Sequence, residues 1–155
     1  MNGNFDIEAT DIYRRYDETI DLFYAGNAAR AYTFFGCHFI PEARAHLFGL
    51  WAPNAESVHV VGDFNAWDAA AHPMERYRGV WVALIPDLFD GANYKYYIKS
   101  ADGYAVYKAD PFAFYGELSP GTASRVWSLD DYEWSDGQFM SKRRKADVLK
   151  EPVSI

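Results

Sequence analysis

The chain has 155 residues, the length of one domain, and can remove about two-thirds of its unfolded surface from water. Half of it is hydrophobic and 18% is aromatic, which excludes a disordered tail and favours a β-rich domain with rings to spare for a surface. A formal charge of −7 argues against phosphate backbones and anionic lipid, so neither nucleic acid nor a membrane is an expected partner.

The first residues, Met1-Asn-Gly-Asn-Phe-Asp-Ile-Glu8, are acidic and lack an apolar signal core, and no run approaches membrane-spanning length. A cytoplasmic protein is expected. Residues 6–24 read as helix, because Ile12, Tyr13, Tyr16, Ile20 and Phe23 recur at three- and four-residue spacing. Gly26-Asn27 should stop it, with Asn27 placed to cap a short second helix through Ala31, Tyr32 and Phe35.

Gly36 opens a different pattern. Strands are predicted over 37–40, 45–52, 57–63, 79–85, 94–101, 104–108 and 124–127. Turn residues separate them, and Asp102-Gly103 is a two-residue hairpin signal. Many short antiparallel strands at this spacing indicate a mainly β protein, an immunoglobulin-like β-sandwich with a short N-terminal helical segment. Cys37, the only cysteine, excludes an intrachain disulfide. It neighbours His38, but adjacent strand residues point to opposite faces, which suits a buried structural thiol better than a nucleophile. The histidines (38, 46, 59, 72) show no ligand spacing, so neither metal nor other cofactor is expected.

Residues 58–67 carry the sharpest local signal. Val58, Val60 and Gly62 alternate with His59, Val61 and Asp63, as in a strand with one buried face. Asp63-Phe-Asn-Ala66 is turn chemistry, and it delivers Trp67 among an amide and carboxylates. A flat ring beside such groups suits the C–H face and hydroxyls of a pyranose; a Trp folded back into the core is the alternative. Beyond Trp134 the sequence turns polar and then basic at Lys142-Arg-Arg-Lys145, as a solvated linker does.

Five motifs occur in one order: Trp51-Ala-Pro-Asn-Ala55, Val61-Gly-Asp-Phe-Asn65 with Trp67, Tyr94-Lys-Tyr96, Lys108-Ala-Asp-Pro-Phe112, and Pro120-Gly-Thr-Ala-Ser124 with Trp127. Over roughly residues 20–155 they resemble the N-terminal region of glycogen (1,4-alpha-glucan) branching enzymes. The first three resemble the glycogen-binding carbohydrate-binding module of family 48, shared with debranching enzymes and kinase glycogen-sensing subunits. Lys-Ala-Asp-Pro and Pro-Gly-Thr-Ala-Ser are closer to branching enzymes.

The resemblance implies an α-glucan partner, glycogen or maltooligosaccharides, held by Trp67, Lys95, Tyr104 and Thr122. Trp67 would stack, Lys95 would donate to hydroxyls, Tyr104 would replace a Trp of the glycogen sensors, and Thr122 would come from the Gly-Thr pair. Each has a structural alternative. Trp67 could be core, Lys95 the polar face of a half-buried strand, Tyr104 a hairpin brace and Thr122 a turn residue.

It further implies a helical lead-in over 1–35, the sandwich over 36–134, and a linker over 135–155 that begins an absent catalytic barrel, the second expected partner. Pro152-Val-Ser-Ile155 resembles that barrel's first strand, so the chain reads as cut at a domain junction. The parent would convert α-1,4 into α-1,6 linkages on a glycoside hydrolase family 13 barrel, and this chain alone should be inactive. Residues after about Gly137 should be mobile, or ordered only by self-association, packing on another copy through Phe139, Met140, Val148, Leu149, Val153 and Ile155 to cover the exposed surface. A free-standing α-glucan-binding protein, or the same module from a debranching-type enzyme, is the alternative.

Overall fold

The computed structural model describes residues 8–129 and 135–145. Two short helices, α1 (Ala9–Arg14) and α2 (Asp17–Tyr24), lead into nine strands. These are β1 (Gly36–Ile40), β2 (Ala45–Leu50), β3 (Ala55–Gly62), β4 (Glu75–Tyr77), β5 (Val80–Pro86), β6 (Asn93–Ser100), β7 (Ala105–Lys108), β8 (Tyr115–Gly116) and β9 (Ser124–Arg125). A further helix, α3 (Gly137–Lys145), follows.

The strands form two antiparallel sheets, as the sandwich reading expects. One has the order β1-β2-β5-β4, the other β3-β6-β9-β8 with β7 also paired to β6. Phe48, Leu50, Val58, Val60, Trp81, Ile85, Tyr94 and Tyr96 fill the space between them. Alternation explains the choice: even-numbered residues of β6 face the other sheet, and odd-numbered ones face outward.

A second core lies on the outer side of the first sheet. There Ile12, Tyr13, Ile20, Phe34 and Phe35 pack on Leu47, Val80 and Val82. β2 is buried along its whole length for this reason, with Leu47 towards the helices and Phe48 towards the second sheet. Gly49 marks the closest approach, since a Cβ there would stand 2.7 Å from the Phe34 carbonyl oxygen. Tyr77 Oη donates to Asp17 at 2.8 Å and the Arg78 guanidinium pairs with Asp21, which ties the β4–β5 turn to α2.

Several local expectations are revised. The helix expected over 6–24 divides at Arg15-Tyr16, which lets Tyr13 reach Tyr77 and Tyr16 reach Phe34, with ring centroids 5.5 and 5.3 Å apart. Gly26-Asn27 does end it. Gly26 takes φ +75°, its N–H bonds the Phe23 carbonyl and that of Asn27 the Leu22 carbonyl, a pairing that satisfies two acceptors of the last turn. No Asn27-capped helix follows: a 3-10 turn at Ala31–Thr33 starts from Arg30 without a side-chain cap.

The hairpin at Asp102-Gly103 forms, but its loop spans 101–104, closed by Ser100 N–H on the Tyr104 carbonyl at 2.9 Å. The stretch expected to be a linker contains α3, a run of good helix formers whose basic last turn complements the helix dipole. No residue of α3 is buried. The expectations for Val148, Leu149 and Pro152–Ile155 lie outside the described residues.

Candidate functional site

The turn after β3 is built by Asn65. Its Oδ1 accepts from Gly62 N–H at 2.9 Å, while its Nδ2 donates to the Val60 carbonyl and to His72 Nδ1 at 2.9 and 2.8 Å. Gly62 itself is extended, but a Cβ there would lie 2.3 Å from the Asn93 carbonyl oxygen. Ala66 and Trp67 then both take left-handed angles, φ 53° and 61°, a conformation that costs a non-glycine residue about 1–2 kcal/mol. This pair of residues swings the indole away from the core. Trp67 is 37% exposed and belongs to neither core, which removes the core alternative.

One carboxylate fixes the indole. Asp63 Oδ1 accepts from Trp67 Nε1 at 3.1 Å, and Asp63 Oδ2 accepts from the Asn93 N–H, at the start of β6, at 2.8 Å. Asn93 Oδ1 in turn accepts from Arg125 Nε at 3.2 Å.

From there the outward face of β6 presents Asn93, Lys95, Tyr97 and Lys99. Lys95 stands opposite Val61 in the register and donates through Nζ to Thr122 Oγ1 at 2.7 Å, across 27 residues of sequence. Trp67 bonds back to Gly62, whose register partner Tyr94 precedes Lys95. The fold thus gathers Trp67, Lys95 and Thr122 at one end of the sheet. Tyr104, 69% exposed, stands instead beside Ser100, five positions along β6 and about 17 Å away. The arrangement offers a ring face, an ammonium and a hydroxyl on an open surface, which can stack on and hydrogen-bond a neutral polyhydroxylated ligand.

Sequence reasoning missed Tyr97 and Tyr107. They oppose each other in the β6–β7 register, 5.0 Å apart between centroids, on the same outward face as Lys95. The odd-numbered alternation along β6 signals Tyr97; Tyr107 needs the register as well. Asp110 accepts from Phe112 N–H at 2.8 Å, the bond of a turn Asp. It also does more. It is buried and takes the hydroxyls of Tyr94 and Tyr96 at 2.7 and 2.9 Å. Burial raises its carboxyl above the ordinary range, against the pull of those hydrogen bonds.

A cleft of about 270 Å³ beside β1 is lined by Cys37, His38, Phe39, Phe114 and Trp127 among others, and none of its lining residues is an acid. Cys37 is buried, and burial pushes its thiol well up. Among the described residues no group of three His, Cys, Asp or Glu side chains could hold a metal ion.

Residues 34–113 match the model of carbohydrate-binding module 48 (isoamylase N-terminal domain), and the chain belongs to that family. Within it, the chain is 44% identical over 142 residues to the 1,4-alpha-glucan branching enzyme GlgB of Thermosynechococcus vestitus, covering 90% of this chain and 18% of that protein. It is 46% identical over 143 residues to GlgB of Albidiferax ferrireducens, covering 90% and 23%. The chain therefore spans about a fifth of the length of these curated relatives. The structure of Klebsiella pneumoniae pullulanase complexed with maltotriose shares the fold, with 25% identity and a TM-score of 0.51 over 63% of this chain and 10% of that one.

Proposed function

We propose that the outward face of the second sheet holds α-glucan, through Trp67, Lys95 and Thr122 with Tyr104 at its far end. We further propose that the chain serves as the N-terminal glucan-holding part of a 1,4-alpha-glucan branching enzyme. The observation that carries the reading is the Lys95–Thr122 hydrogen bond beside an outward-facing Trp67. An ammonium and a hydroxyl already fixed to each other lose little freedom when both turn to sugar hydroxyls.

In the parent protein, a surface of this kind raises the local concentration of glucan near the transferase centre even when each contact is weak. The branching-enzyme relatives support that parent over a debranching enzyme, at 44 and 46% identity against 25% for the pullulanase. The chain alone should perform no α-1,4 to α-1,6 transfer.

Calorimetric titration of the chain with maltoheptaose tests the reading. Lys95→Ala and Thr122→Val should each weaken binding several-fold without lowering the melting temperature by more than a few degrees. Unchanged affinity in both would show that the ligand is held elsewhere.

A further inference from the structure

We propose that the glucan surface continues along β6 onto a second stacking platform, Tyr97 with Tyr107, which takes further glucosyl units of the same chain. The proposal rests on the reading of Trp67, Lys95 and Thr122 as glucan-holding. Neither tyrosine belongs to either core: the two form a cross-strand pair on the outward face of the sheet rather than part of the packed interior. Tyr107 is 53% exposed, and Tyr97 lies between it and His59, whose ring centroid is 6.2 Å away on β3.

The position is continuous with the first site. Tyr97 follows Lys95 by one repeat of the pleat, about 7 Å, and the outward residues from Asn93 to Lys99 span about 20 Å, more than one pyranose can cover. Lys99 lies beyond the tyrosines as Lys95 lies before them, so an ammonium flanks the ring pair on each side. Tyr104 stands just past Lys99, at the end of the strip.

The shape of the platform selects among glucans. The Tyr97 and Tyr107 planes are inclined at 52° to each other, so the floor is bent rather than flat. Successive units of an α-1,4 chain turn relative to one another and can meet two inclined rings. A β-1,4 chain is a flat ribbon and cannot lie on both. Nucleobases also stack on tyrosine between lysines, but a chain of formal charge −7 is a poor host for a phosphate backbone.

The test uses the full chain, maltotriose and maltoheptaose. Tyr107→Ala should weaken maltoheptaose about 3- to 10-fold, the range of one stacking contact, and leave maltotriose unchanged. Tyr107→Phe should restore the longer ligand. In amide NMR spectra of the unsubstituted chain, maltoheptaose should shift Tyr97 and Tyr107 as well as Lys95. Wild-type affinity of Tyr107→Ala for maltoheptaose, with shifts confined to Trp67, Lys95 and Thr122, overturns the second platform and leaves the first site standing. Failure of the unsubstituted chain to bind either sugar removes both. Larger shifts at Tyr97 and Tyr107 from cellohexaose or a short oligothymidylate than from maltoheptaose assign the rings to a different ligand and overturn the proposal.

Discussion

Trp67 and Asn93 are held by the two oxygens of one carboxylate: Asp63 takes the indole N–H at 3.1 Å and the Asn93 backbone N–H at 2.8 Å. The side chain proposed to stack on sugar is thereby locked to the first residue of β6, the strand that carries Lys95. Ring and ammonium share one frame, although neither touches the other through a direct bond.

Breaking that link should separate binding from folding. Asp63→Ala leaves the exposed indole N–H to water and costs about 1 kcal/mol of stability. It should weaken maltoheptaose several-fold, because Trp67 regains rotamer freedom that binding must then remove. Urea denaturation and calorimetric titration of the same preparation check both numbers.

The left-handed pair gives a sharper separation. Ala66→Gly removes the Cβ strain at φ 53°, a relief of about 1–2 kcal/mol, while the unfolded chain gains about 0.4–1 kcal/mol of entropy. The net should be a small stabilisation, with weaker maltoheptaose binding as the turn loosens. Lower stability together with tighter binding would contradict the account of this turn.

How much of this was legible in the sequence follows from the range of the interactions. The Gly26-Asn27 stop and the Asp102-Gly103 turn are local and stand where they were expected, whereas the alternation after Val58 holds only in part, because Val61 on the opposite face is fully buried as well. β4 and β8 were not expected. β4 is Glu75-Arg76-Tyr77, a short charged edge strand without alternation, held by Arg76 over the Trp81 ring at 4.5 Å. The break at Arg15-Tyr16 comes from ring contacts with Tyr77 and Phe34, which no helical period encodes. At the site, Trp67 and Lys95 were marked by their own motifs. Tyr107 became visible only when the register set it against Tyr97, and Asp110 only when β6 turned two tyrosines inward.

Asp110 should matter for stability and not for sugar. Asp110→Ala leaves two buried tyrosine hydroxyls without their acceptor and should cost about 1–3 kcal/mol. Because burial raises its carboxyl in the folded state, the folded chain binds this proton more tightly than the unfolded one. Its contribution is therefore fullest below the ordinary value of 3.8 and declines as pH rises through the raised one. Chemical denaturation of wild type and Asp110→Asn between pH 3 and 7 should show that decline only in the wild type.

His46 works in the opposite sense. It is buried with Nδ1 unpartnered, and desolvation lowers its pKa, against a weaker pull from Asp90. The unfolded chain takes up this proton first, so stability is full above the ordinary value of 6.5 and falls as pH drops below it. His59 is shifted in the same direction by burial and adds to the slope. His46→Phe should flatten the loss of stability between pH 7 and 5, measured by urea denaturation at each pH.

The most direct test of glucan holding is calorimetric titration of wild type, Trp67→Phe and Trp67→Ala with maltoheptaose, with circular dichroism on each. One or two stacking contacts of about 0.5–1.5 kcal/mol beyond area burial predict a wild-type dissociation constant nearer millimolar than micromolar. Trp67→Phe should bind more weakly, and Trp67→Ala should lose most of the affinity with an unchanged spectrum. Wild-type affinity in Trp67→Ala, or loss of the folded spectrum on that substitution, would contradict the assignment of Trp67 as a sugar-facing ring.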